Sequence, residues 1–199
     1  PASALVYVAG CSFTEPLFVL TIMVVAGTRP VMQSASWLVR GVAQCLQMLL
    51  PVTGHQAVTF ALMSVLPLLG SFITEPAAMT LAALMLRELV LKHPVSARLK
   101  YGALGVLLVN VSIGGTLTSF AAPPVLMVAA AWQWDSAFML STFGGKAAVA
   151  VSINAAVFTW LFRGELSQSS AFTVTERWVP VSVMLLHLVF LGGVVMFAH

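Results

Sequence analysis

Residues 101–134 contain no charged side chain, residues 178–198 contain none, and residues 41–86 contain one, Glu75. A helix crosses the hydrocarbon core of a bilayer in about 20 mostly apolar residues, so each run is long enough to span. Only 8% of the chain is charged and 60% is hydrophobic, against roughly 25% charged in a soluble domain. Nine basic and six acidic side chains among 199 residues cannot cover a water-facing surface. Large apolar patches would remain exposed. A soluble enzyme, a nucleic-acid-binding domain and a disordered tail are excluded. The runs exceed the apolar core of a signal peptide, about 7–15 residues. They also lack the roughly ten-residue alternating segments of a membrane β-barrel. The expected fold class is an all-α polytopic membrane protein.

Local punctuation divides the chain. Residues 1–28 read as a transmembrane helix containing Glu15-Pro16. Residues 29–53 mix Arg29, Arg40 and three glutamines with Trp37, Leu38 and Val42. That pattern suits an amphipathic helix in the interface. Residues 54–91 read as a helical hairpin with its tip near 70–76, because Pro76 suits the first turn of a second helix. Residues 92–100 form a basic loop. Residues 101–132 are interrupted by a stretch poor in helix formers, which predicts a broken transmembrane helix. Backbone unwound at that depth must be buried in protein or line a cavity. Residues 137–162 span again, 163–177 are a polar loop, and 178–199 span last. Cys11 and Cys45 lie in apolar surroundings with no metal or disulfide spacing, and read as small core residues.

A count of crossings places Arg29, Arg40, Arg87, Lys92, Arg98, Lys100, Arg163 and Arg177 on one side. These are eight of the nine lysines and arginines. The excess of basic residues in cytoplasmic loops then makes 29–53, 87–100 and 163–177 cytoplasmic, and it accounts for the net charge of +3. The location expected is a bacterial inner membrane.

Three ionisable residues remain inside apolar segments: Glu15, Glu75 and Lys146. Each costs roughly 2.5–3.5 kcal/mol to insert. Glu75 sits at a helix break between Thr74 and Pro76. One reading makes it a partner of the helix dipole. The other makes it a buried acid that binds a proton and a cation in turn. Desolvation favours the protonated form of a carboxylate and a nearby cation the ionised form, so the two ligands compete, as antiport requires. Glu15 and Lys146 are candidates for a second acid or an ion pair; Lys146 could equally snorkel to the interface. Glu15 also sits in a Thr-Glu-Pro tripeptide, too short to define a repeat.

A hairpin tip and a broken helix point to the binding site of a secondary transporter. The candidate ligands are Ser71, Thr74 and Glu75 at the tip, with Asn110, Ser112, Gly114, Gly115, Thr116, Thr118 and Ser119 at the break. Their oxygen atoms suit a hard cation. The histidines form no ligand spacing, and neither the H-E-x-x-H nor the G-x-S-x-G motif occurs. No enzyme, no cofactor and no nucleic-acid partner is expected.

The segment Ser112-Ile-Gly-Gly-Thr-Leu-Thr-Ser-Phe-Ala-Ala-Pro-Pro124 resembles the S-I-G-G…P-P signature of the ion transporter superfamily. That superfamily includes divalent anion/sodium symporters, arsenite exporters and several sodium/proton antiporters, and the likeness is greatest to the bacterial antiporters. Phe72-Ile-Thr-Glu-Pro-Ala-Ala78 falls where the superfamily has a Ser-Asn-Thr hairpin tip. The order of segments is also similar and covers nearly the whole chain. The resemblance implies one repeat of an inverted-repeat fold, with residues 178–199 opening the second repeat, and a homodimer as one assembly. Replacement of Ser-Asn-Thr by Thr74-Glu75-Pro76 suits cation/proton exchange better than carboxylate transport. The expectation is therefore a sodium(cation)/proton antiporter whose partners are the bilayer, the cation and the proton. The alternatives are a sodium-coupled carboxylate or anion carrier and a non-transporting membrane scaffold. The chain begins at Pro1 without a Met and reads as about half of a transporter.

Overall fold

The computed structural model describes residues 14–168 and 179–197, and every regular element among them is helical. Helix α1 (Thr14–Ala26) turns at Gly27-Thr28 into α2 (Arg29–Leu49). Pro30 occupies the first turn of α2, where its missing N–H is harmless. Val31, Ala35, Val39 and Ala43 form its buried stripe. They recur every four residues, so one face of α2 lies along the hairpin. Cys45 is off this stripe and exposed, which corrects its reading as a core residue. Two residues past Ala43, it points to the opposite side of the helix. Cys11 lies outside the described residues.

Helix α3 (Gly54–Ile73) starts from a capping box. The Thr53 side chain accepts from Gln56 N, and the Gln56 side chain accepts from Thr53 N. Helix α4 (Glu75–Leu86) follows after the single residue Thr74 and continues through a π-helical turn, Arg87–Leu91. The two helices pack against each other. Helix α5 (Ala97–Gly114) begins earlier than expected, so the basic loop shrinks to 92–96. Ser96 is the reason. Its hydroxyl caps Leu99 N at 3.1 Å, and the Glu165 carboxylate accepts from both Ser96 N and Oγ, at 3.1 and 3.0 Å.

Residues 115–122 are non-helical. Helix α6 (Pro123–Trp132) then starts on two prolines and ends at Gln133, whose φ of 55° closes it in the left-handed region. Helix α7 (Ser136–Met139), capped by Asp135, a π turn (Leu140–Gly144) and α8 (Gly145–Leu161) run on as one continuous helix. Short α9 (Arg163–Gln168) and α10 (Val181–Phe197) complete the described chain.

Helix α3 is central and packs on α2, α4, α5 and α8. Its small residues Ala57, Ala61, Ser64, Gly70 and Ser71 are buried, which lets neighbouring backbones come close, as in membrane bundles. Outward faces are apolar. On α8, Val149, Ile153, Val157 and Leu161 are all more than half exposed. Such a stripe is unsuited to water and suited to lipid. Among the described residues two helices are long and apolar enough to cross a bilayer, Gly54–Ile73 and Ser136–Leu161, with a shorter apolar stretch at Val181–Gly193.

Candidate functional site

The unwound segment lies across the hairpin tip. Ser71, fully buried at the end of α3, does most of the joining. Its hydroxyl donates to Gly114 O and accepts from Leu117 N at 3.0 Å, while its carbonyl accepts from Thr118 Oγ1 at 2.7 Å. Glu75 N donates to Ala121 O at 2.9 Å. The backbone polar groups freed by breaking α5 therefore find partners on the tip, as groups removed from water must.

The approach is close enough to require glycine. A Cβ on Gly114 would lie 2.0 Å from Pro67 O, and one on Gly115 would meet Ala122 Cβ at 3.1 Å. Thr74, the joint of the hairpin, has φ 86° and ψ 147° although it carries a side chain. Glycine occupies that region almost alone, and other residues there store roughly 1–3 kcal/mol. Thr74→Gly is therefore expected to hold or raise the melting temperature, although Thr74 is buried. A fall of several degrees would show that its side-chain packing outweighs the strain.

This strained joint sets Glu75 in the first turn of α4, half-buried, with its carboxylate turned to the broken helix. Ser112 Oγ donates to Glu75 Oε1 at 3.1 Å. The acid of the tip and a hydroxyl of the break thus meet, and a Cβ on Gly115 would lie 3.6 Å from the Glu75 Cβ.

The other predicted residues divide. Thr116 Oγ1 turns back to Ile113 O at 2.7 Å and closes the end of α5. Ser119 is held by Ser136, through Oγ–Oγ at 3.0 Å. Asn110, fully buried one turn below the break, donates from Nδ2 to Met63 O (2.8 Å) and Val151 O (3.3 Å), and its Oδ1 accepts from Asn154 Nδ2 (3.0 Å). Both ends of its amide are committed to protein. Met63 O is the carbonyl that Pro67, four residues on, cannot pair. Asn110 supplies the missing donor. Pro67 in the sequence announces a freed carbonyl at Met63, but neither its partner Asn110 nor Asn154 behind it. Asn110→Leu is expected to leave that carbonyl buried and unpaired, costing about 1–3 kcal/mol, read as a lowered melting temperature in detergent. An unchanged temperature would mean that another group takes over.

Lys146 is exposed at the start of α8, its ammonium 6.0 Å from the Phe143 ring centroid. Phe143 belongs to an aromatic group with Trp132, Trp134 and Phe138, neighbouring centroids lying 4.8–6.5 Å apart. Such belts mark the level of the lipid headgroups. Glu15 lies in the first turn of α1, and its side chain falls outside the described residues. Among the described residues no cluster of metal-ligating side chains occurs.

An all-helical bundle with lipid-suited faces, and a carboxylate at the meeting of a hairpin tip and a broken helix, define a membrane protein of the transporter class. The family described as "Putative Na+/H+ antiporter" matches the chain over residues 1–199. The chain belongs to that family, and cation/proton antiport is the activity the family describes. No curated protein and no solved structure matches it.

Proposed function

We propose that the protein exchanges sodium, or a similar hard cation, for protons, and that Glu75 carries both in turn. The observation that supports this most is the Glu75–Ser112 contact between the tip and the break. A hydroxyl has one donor and two lone pairs. Ser112 can donate to the ionised carboxylate, accept from the protonated one, or turn a lone pair to a bound cation. One pair of side chains thereby serves every state of an exchange cycle. Proton and cation exclude each other because each neutralises the same carboxylate.

Ser71, Thr74, Thr118 and the two glycines hold the tip against the break, and Asn110 holds the helices beneath it. Thr116 and Ser119, which bond to Ile113 O and to Ser136, keep lone pairs that serve as further oxygen ligands along the break. The open side of Ser112 and Glu75 is the place for ligands from a second, inverted repeat, and a homodimer is the assembly proposed. The basic segments 29–53, 87–100 and 163–177 face the cytoplasm of a bacterial inner membrane.

The test is dissipation of a pH gradient by Na⁺ or Li⁺ in everted vesicles containing the complete transporter. Loss of exchange in Glu75→Gln supports the reading. Undiminished exchange in the variant removes Glu75 from it, and no exchange in the wild type would favour a scaffold.

A further inference from the structure

A second concave site lies at the opposite end of α3 from the hairpin tip. A cavity of about 510 Å³ opens between the C-terminal end of α2, the N-terminus of α3 and the C-terminal end of α8. Its size falls within the roughly 300–1,000 Å³ of small-molecule sites. Leu46, Leu50, Phe60 and Ala156 contribute apolar wall, while Trp160 and Arg163 stand on the α8 side. Arg163 is exposed, with its guanidinium carbon 5.7 Å from the Trp160 ring centroid. No described carboxylate pairs with it. The backbone that carries Arg163 is fixed by Gln56 Nε2, which donates to Arg163 O at 3.3 Å. The N-terminus of α3 adds its partial positive charge to the same side.

We propose that this cleft binds one anionic phospholipid, with its phosphate at Arg163 and an acyl chain along Leu46, Leu50 and Phe60. The argument is charge complementarity. The cleft is positive at one end and apolar along the rest, and it lies in a protein whose outer faces suit lipid. A soluble anion would use the guanidinium and leave the apolar wall unmatched. A zwitterionic lipid would fill the wall but neutralise less of the charge. Basic pockets between membrane helices bind anionic headgroups in this way, and each Lys or Arg near the surface favours them about fivefold.

The test is native mass spectrometry of the purified full chain in neutral detergent, titrated separately with phosphatidylglycerol, phosphatidylcholine and inorganic phosphate. Wild type is expected to retain one phosphatidylglycerol about fivefold better than phosphatidylcholine. Arg163→Gln is expected to bring that ratio to near one, while the exposed control Arg98→Gln leaves it unchanged. Ala156→Phe, a substitution at an exposed wall position, is expected to reduce retention of both lipids. Elution of each variant as wild type in gel filtration shows that it has folded. Equal retention of the two lipids by wild type would overturn the proposal, as would an unaltered ratio in Arg163→Gln. Stabilisation by inorganic phosphate equal to that by phosphatidylglycerol would also overturn it. So would a dimer abolished by Ala156→Phe while lipid retention stays unchanged.

Discussion

Gly114→Ala is expected to yield little or no monodisperse protein in detergent, while Gly105→Ala on the same helix behaves as wild type or slightly better. The contrast follows from what each new methyl would meet. At Gly105 nothing lies within 4 Å, whereas at Gly114 it would lie 2.0 Å from Pro67 O and 2.4 Å from Pro67 C. Those are backbone atoms of α3, and no rotamer change moves them. The two helices must separate, which stretches the Asn110–Met63 and Ser71–Gly114 hydrogen bonds. Overpacking alone costs roughly 1–3 kcal/mol, occasionally more, and each buried polar group left unpaired adds about 1–3 kcal/mol. At Gly105, by contrast, alanine gains up to about 1 kcal/mol of helix propensity. Fluorescence-detected size-exclusion chromatography reads both outcomes. A monodisperse Gly114→Ala protein melting within a few degrees of wild type would show that the close approach is dispensable.

Glu75→Gln is expected to fold and to lose exchange. Glutamine keeps the length and one acceptor oxygen, so Ser112 Oγ can still donate at the 3.1 Å position. The half-buried setting accommodates the added amide protons. What disappears is the group that can be either neutral or charged. Without it a cation gains no carboxylate partner and a proton has nowhere to bind. Na⁺-driven dissipation of the pH gradient should fall to that of vesicles lacking the protein, with the melting temperature within a few degrees of wild type. A fall of a few degrees with exchange retained would assign Glu75 to the α4 dipole instead, where a carboxylate contributes typically 0.3–1 kcal/mol. Retained folding with retained exchange would place the proton on another acid, Glu15 being the remaining apolar-segment carboxylate.

The positions of the tip and the break were legible because each has a local cause. Pro76 starts a helix, and Gly114-Gly115 and Pro123-Pro124 stop and restart one. The start of α5 at Ala97 was not legible among Arg98 and Lys100, since the basic side chains hid the capping role of Ser96. Cys45 looked like core because its neighbours are apolar, yet the register of α2 turns it outward. Asn110 looked like a ligand because it is polar in an apolar run. Its meaning depends on Pro67, 43 positions earlier in a different helix, and on the carbonyl that proline leaves unpaired. The strain at Thr74 was hidden too. Nothing in Ile-Thr-Glu-Pro demands a positive φ until the hairpin must reverse within one residue.

By itself the sequence determined that this chain belongs in a membrane, where its helices break, and that Glu75 stands at a break. Hydrophobic burial and the cost of inserting charge act on each segment separately, so they can be read without knowing what the segment touches. Only the tertiary structure decided which polar group faces the acid. Ser112, Thr116, Ser119 and Asn110 are alike in kind and close in sequence. The packing of α5 on α3 turns Ser112 to Glu75 and commits Asn110 to Met63 O, while Thr116 closes its own helix end and Ser119 pairs with Ser136. That choice depends on helix rotation and on a contact that only glycine permits, and both arise when two distant segments meet.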